Sequence, residues 1–250
     1  MSRQSEATSF LGNLLRTSRL AALLEIIVVF IPLSVGLVIS DAQGIEHTRL
    51  GGRLILKGGP AVYVGLVLSL VLLWASAKLR GADWHEIGLT RTRAWWKTVL
   101  LSLVVALAVL GAVVLVINPV VTALPGVPPR DMSSFSFTEG DLVNLVLNVA
   151  AMWFTAAFVE ELIWRGYLMN RLVDVLGRRT RLAWAVALVL GTVIFGLAHA
   201  YQGPVGVLKT GAVGLVLGVA YLALGRNLWP LILAHGLIDT LDFVTHYLGG

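Results

Sequence analysis

The chain has 250 residues, of which 57% are hydrophobic and only 13% charged, with a net charge of +5 and no cysteine. A soluble domain carries about a quarter charged residues, so this composition belongs to a polytopic membrane protein. The missing thiols exclude disulfide frameworks, thiolate metal sites and cysteine catalysis.

A bilayer-spanning helix needs about 20 mostly apolar residues. Seven windows come close: 20–40, 61–77, 98–117, 142–159, 182–198, 207–224 and 228–245. Residues 1–19 ahead of them are polar and weakly amphipathic, an interfacial lead-in. The first window is about twice as long as a signal-peptide core and lacks a convincing cleavage site, so it reads as an uncleaved span. Glu25, near its inner end, reads as a side chain snorkelling to the headgroups. Gly44, Gly51, Gly52, Gly58, Gly59 and Pro60 punctuate residues 41–60 into two short connections. Residues 78–97, KLRGADWHEIGLTRTRAWWK, form a basic loop whose Trp84, Trp95 and Trp96 suit the membrane interface, and whose His85 reads as solvated. Residues 118–141 contain Pro119, Pro125, Pro128 and Pro129 and read as the longest structureless segment, a flexible loop or lid.

The basic residues set an orientation. With the N-terminus inside, the inner segments hold fourteen Lys and Arg: Arg3, Arg16, Arg19, Lys78, Arg80, Arg91, Arg93, Lys97, Arg165, Arg171, Arg178, Arg179, Arg181 and Arg226. The outer segments hold five: Arg49, Arg53, Lys57, Arg130 and Lys209. That asymmetry places the N-terminus in the cytoplasm. It also accounts for the positive charge without nucleic acid.

An ionisable residue inside a span is expensive, which makes each a functional candidate. They concentrate in the second half of the chain. In EELIWRG, Glu161 and Arg165 are i and i+4 with the acid first, the better order for an ion pair, while Glu160 points about 100° away. One carboxylate is thus neutralised internally and its neighbour faces something else. In TVIFGLAHA, His199 ends an otherwise uncharged span, with Phe195 four residues earlier on the same face. In LILAHGLIDTLDF, His235 and Asp239 are i and i+4, and Asp239 or Asp242 is placed to fix the imidazole tautomer.

Three helices carrying these groups can converge in a bundle core, and two chemistries follow. Glu160, His199 and His235 match a His₂Glu set for a catalytic zinc or another divalent metal, with a position left for water. Alternatively no cofactor is used: Glu160 activates water as a general base, and histidines stabilise the oxyanion. Both end in hydrolysis of an acyl bond, and the residues alone leave the choice open.

In their order, EELIWRG, FGLAH and HGLID resemble the three motifs of the CAAX-protease and bacteriocin-processing family, also called the ABI family, which includes the type II CAAX prenyl endopeptidases. DWHEIGL at 83–89 is a weaker echo. The resemblance covers about residues 150–245 and implies intramembrane proteolysis. By position, Glu160 would activate water and Glu161 with Arg165 would hold the site together. His199 and His235 would be catalytic or oxyanion-binding. The last motif commonly ends in asparagine, and this chain has Asp239, which as an ionised carboxylate cannot donate to an oxyanion. Either Asp239 is protonated, or it orients His235, or the protein does other work.

The expected fold is all-α: one integral membrane domain over residues 1–250, a bundle of about seven to eight spans with a motif-bearing core at about 142–246. The expected partners are membrane lipid and a peptide or protein substrate, prenylated or not. The composition suits a high-GC bacterial source and so a bacterial plasma membrane. The competing functions are a catalytically silent scaffold or bacteriocin immunity protein of the same fold and, less well supported by the uncharged second and third windows, a small transporter. One geometric problem accompanies this reading. In a simple seven-span bundle His235 lies about 10 Å from the inner end of its helix, and His199 near the outer end of its own. They meet only if the basic hairpin at 171–181 projects beyond the other helices.

Overall fold

The computed structural model describes residues 10–51, 54–123, 126, 128 and 133–249. Residues 1–9 of the lead-in, and Arg3, Gly52, Arg53, Pro125, Pro129 and Arg130 of the sequence reading, lie outside them. The described residues form an all-α bundle: α1 (Phe10–Thr17), α2 (Arg19–Ala42), α3 (Pro60–Arg80), α4 (Trp95–Thr122), α5 (Leu142–Leu176), α6 (Arg181–Leu197), α7 (Gly203–Ala223) and α8 (Trp229–Tyr247). By length and composition five segments can cross a membrane: α2, α3, α4, α5 and α7 with its preceding turn. α6 is a shorter apolar helix. α8 is not among the five, because His235, Asp239, Asp242 and His246 interrupt its apolar run.

Local chemistry sets the ends. Ser18, Asp141 and Thr180 cap α2, α5 and α6 by accepting from backbone N–H groups of the first turn. Proline occupies the first turn of α3, α7 and α8, where its missing N–H costs nothing. α5 stops at Gly177, whose φ of 78° closes the helix in the left-handed region.

Lipid offers helices little hydrophobic reason to associate, so close packing does the work. α2 and α3 approach until Gly36 and Gly65 leave no room for a side chain beside the Ala61 and Pro32 carbonyls. α6 and α7 do the same, where a Cβ on Gly196 would meet the Val207 carbonyl at 2.9 Å and the Gly211 Cα at 3.2 Å.

Several expectations need correction. Residues 47–57 hold an antiparallel hairpin, β1 (His47–Leu50) and β2 (Leu54–Lys57), rather than two plain connections. Asn144 and Asn148 of α5 finish its outer edge: Asn144 Oδ1 accepts from Ile55 N and Asn148 Oδ1 from Lys57 N, both at 2.9 Å, and Asn148 Nδ2 donates to Ile55 O at 2.7 Å. The segment at 118–141 is not structureless throughout, since α4 runs to Thr122 and Ser133–Thr138 forms a 3₁₀ turn. The 81–94 loop does more than float at an interface. Ile87 and Gly88 are buried, Leu228 N donates to Gly88 O at 2.9 Å, and Trp229 Nε1 donates to Thr90 O at 3.0 Å. His85 is exposed, as expected.

Glu25 does not snorkel. It is buried, 2.7 Å from Arg171 Nη2, and accepts from Tyr167 Oη at 3.2 Å. Arg80 Nε lies 3.3 Å away, an ion-pair contact without hydrogen-bond alignment. The cluster ties α2 and α3 to the far end of α5, so Arg171 is covered where the sequence had it emerging.

Candidate active site

The site is built on a widened stretch of α5. From Trp153 to Glu160 and from Leu162 to Met169 the backbone is π-helical. This i→i+5 geometry is rare and tends to occur at functional positions. The pairing expected from an i, i+4 spacing survives it: Arg165 Nη1 donates to Glu161 Oε1 at 2.7 Å.

Glu161 is wholly buried, and its Oε1 also receives His235 Nδ1 from α8 at 2.8 Å. Its second oxygen, Oε2, has no hydrogen-bond partner. The other ring nitrogen of His235, Nε2, stands 3.4 Å from Asp239 Oδ2. His235 is thus held between two carboxylates, and a neutral imidazole can donate to only one of them. Of the two acids considered in the sequence, Asp239 is the one that faces the ring.

Arg165 is fixed on three sides. Besides Glu161, Nη2 donates to the Gly214 carbonyl of α7 at 3.1 Å, and the guanidinium carbon sits 4.7 Å from the centre of the Phe195 ring. Phe195 also meets Trp164 edge-on at 5.3 Å and His199 at 4.8 Å. His199 Nδ1 is 2.8 Å from the Phe195 carbonyl oxygen. Donation there leaves Nε2 of the neutral ring as an acceptor. His199 therefore joins the cluster through Phe195 and Arg165.

Glu160 is half-buried, and among the described residues no hydrogen bond or ion pair engages it. It lies within electrostatic reach of His235, Asp239, Glu161 and Arg165. The structure thus brings Glu161, Arg165, His235 and Asp239 into one bonded chain, with Glu160 beside it and His199 on its flank.

The same geometry answers the problem of depth. A Cβ on Gly166 would meet Ile87 O at 2.6 Å and Leu228 Cδ1 at 3.0 Å, so the start of α8 is level with Gly166 and not with Gly177. Counting seven residues along α8 brings His235 level with Glu160 and Glu161. α5 runs ten residues further, about 15 Å at α-helical rise. The hairpin at 171–181 does project beyond α8, sheathed by α2 and α3.

The residues do not fit a metal. Both nitrogens of His235 already face carboxylates, and among the described residues no group of three or more His, Asp or Glu is placed to hold a metal ion. Glu160, His199 and His235 do not form the ligand set that the zinc reading required.

One comparison with known proteins bears on this geometry. The family model described as type II CAAX prenyl endopeptidase Rce1-like matches residues 142–241. The match covers 100 of the 250 residues, the stretch that carries all three motifs. The matched segment runs from the first turn of α5 to beyond Asp239, so it contains Glu160, Glu161, Arg165, His199, His235 and Asp239. No curated protein and no solved structure matches the chain significantly. The Rce1-like match supports a CAAX-type intramembrane protease kind of function.

Sequence reasoning missed the supports around the site. Gly214 and Phe195 hold Arg165, and Trp153 Nε1 donates to Thr240 Oγ1 at 3.1 Å across α5 and α8. Only Phe195 carried a signal, its spacing from His199.

Proposed function

We propose that the chain is an intramembrane endopeptidase that hydrolyses a peptide bond in a membrane-associated substrate by glutamate-activated water. A CAAX-type C-terminus is the first substrate to try. The observation that carries the reading is the division between adjacent carboxylates. Glu161 is buried and neutralised by Arg165 and His235, while Glu160 is accessible and unbonded.

In this mechanism a Glu160 oxygen takes a proton from water, and the hydroxide oxygen attacks the scissile carbonyl carbon. His199 Nε2 accepts from the same water. The carbonyl π electrons move to oxygen, giving a tetrahedral oxyanion on the His235 side. Glu160 then returns the proton to the leaving amine as the C–N bond breaks. Glu161 and Arg165 position His235 and do not exchange protons with substrate.

Asp239 favours a second reading, a catalytically silent member of the family. Its carboxylate occupies the His235 Nε2 direction that an oxyanion would need.

The deciding experiment measures cleavage of a fluorogenic peptide panel, including a farnesylated CAAX peptide, by detergent-purified protein. Wild type is compared with Glu160→Gln, His199→Ala and Asp239→Asn, each with and without chelator. Loss in Glu160→Gln with no effect of chelator is the expected result. Loss with chelator, restored by zinc, would sink the metal-free mechanism. An inactive wild type rescued by Asp239→Asn would establish the silent reading.

A further inference from the structure

A basic surface outside the site lies where α5 turns into α6. Arg178, Arg179 and Arg181 stand exposed on that turn. Arg19, exposed at the start of α2, lays its guanidinium against Gly177, where a side chain would have no room. Arg16, exposed on α1, reaches Gly81, its Nη2 3.2 Å from where a Cβ would stand. Against these five guanidiniums stands Asp174, which pairs with Arg179 at 2.9 Å and with buried Arg171 at 2.7 Å.

Two further features point the same way. The capped first turns of α2 and α6 open at this surface, joined through the Arg19–Gly177 contact, so two positive helix ends add to the side-chain charge. Behind the turn is a cavity of about 20 Å³ lined in part by Arg80, Tyr167, Arg171 and Arg179, with Glu86 and Asp174 as its acids. The Arg80 and Arg171 Nε atoms are buried and lack hydrogen-bond partners. The cavity admits a water and not a phosphate, so the exposed guanidiniums form the anion site proper.

Beside the cations lies an apolar surface. Phe10, Leu11 and Leu14 of α1 are 85%, 48% and 39% exposed, on the same short helix as Arg16. A free anion needs no such neighbour, whereas a lipid needs both.

We propose that this end of the bundle binds the headgroup of an anionic phospholipid, with α1 lying along its acyl chains. The proposal stands apart from the protease reading.

The test offers detergent-purified protein equal amounts of phosphatidylglycerol and phosphatidylcholine and counts bound lipid by native mass spectrometry. Wild type should retain phosphatidylglycerol at least about tenfold over phosphatidylcholine. Combined Arg16→Gln, Arg19→Gln and Arg179→Gln should remove the preference. Combined Arg91→Gln, Arg93→Gln and Lys97→Gln, an equal charge loss elsewhere, should keep it, and excess inorganic phosphate should not displace the lipid. Equal retention of the two lipids by wild type overturns the proposal. So does loss of preference in both triple variants, or displacement by phosphate. If the first triple variant does not purify, Phe10→Ser with Leu14→Ser decides: weaker retention supports the site and unchanged retention overturns it.

Discussion

Glu161 has no exposed surface and accepts from both Arg165 and His235, while Glu160, one residue earlier, makes neither contact. Removing each should therefore do different damage. Glu160→Gln should lower cleavage by about 10²–10⁴-fold, the usual weight of a general base, and leave the thermal unfolding midpoint unchanged. Glu161→Ala strands a buried arginine beside a buried histidine, and breaking such a pair costs about 3–5 kcal/mol. Its midpoint in detergent should fall sharply, and a variant that unfolds like wild type would remove Glu161 from its structural role. Asp239→Asn trades a carboxylate for a side chain that can donate. It should raise kcat, since the amide can donate to the oxyanion where the carboxylate repels it, and a lower kcat would show that Asp239 is needed as an acid.

Among the elements, α5 carries the site and is braced at three levels. Asn144 and Asn148 pin the β hairpin at one end, Gly166 seats the 81–94 loop, and Tyr167 with Arg171 reaches Glu25 near the other end. Asn148→Ala leaves Lys57 N and Ile55 O without their partner, and each unsatisfied buried group costs about 1–3 kcal/mol. Hydrogen exchange should rise across residues 54–57 and not in α8. Gly166→Ala drives a methyl group into the Ile87 carbonyl, and overpacking of this kind costs about 1–3 kcal/mol. The same measurement should then show faster exchange at 85–90, while the hairpin stays protected.

At the scale of the molecule, one end of the bundle concentrates arginine. The end with the α5–α6 turn gathers Arg16, Arg19, Arg178, Arg179 and Arg181, whereas the opposite end closes with Gly140 N donating to Tyr247 O at 3.1 Å. The proposed orientation puts the arginine end in the cytoplasm. Because the chain has no cysteine, single cysteines report on it cleanly. Thr17→Cys should be labelled by an impermeant maleimide only from the cytoplasmic side and Glu139→Cys only from the other side. The reverse pattern would invert the topology.

The sequence by itself determined the all-α membrane bundle, because the length and apolarity of a run are local properties that lipid reads directly. It also determined the Glu161–Arg165 pair, since i, i+4 partners on one helix meet whatever the rest of the chain does. His235 beside Asp239 was legible for the same reason. What the tertiary structure decided was every pairing between helices. Glu25 meets Arg171 across 146 positions, and Asn148 meets Lys57 across 91, so no spacing rule reaches them. That His235 would reach the glutamate pair at all depended on the level at which α8 begins. The 81–94 loop sets that level by seating Leu228 against Gly166. A register between two helices comes from packing far from the residues it aligns, and only the folded chain contains it.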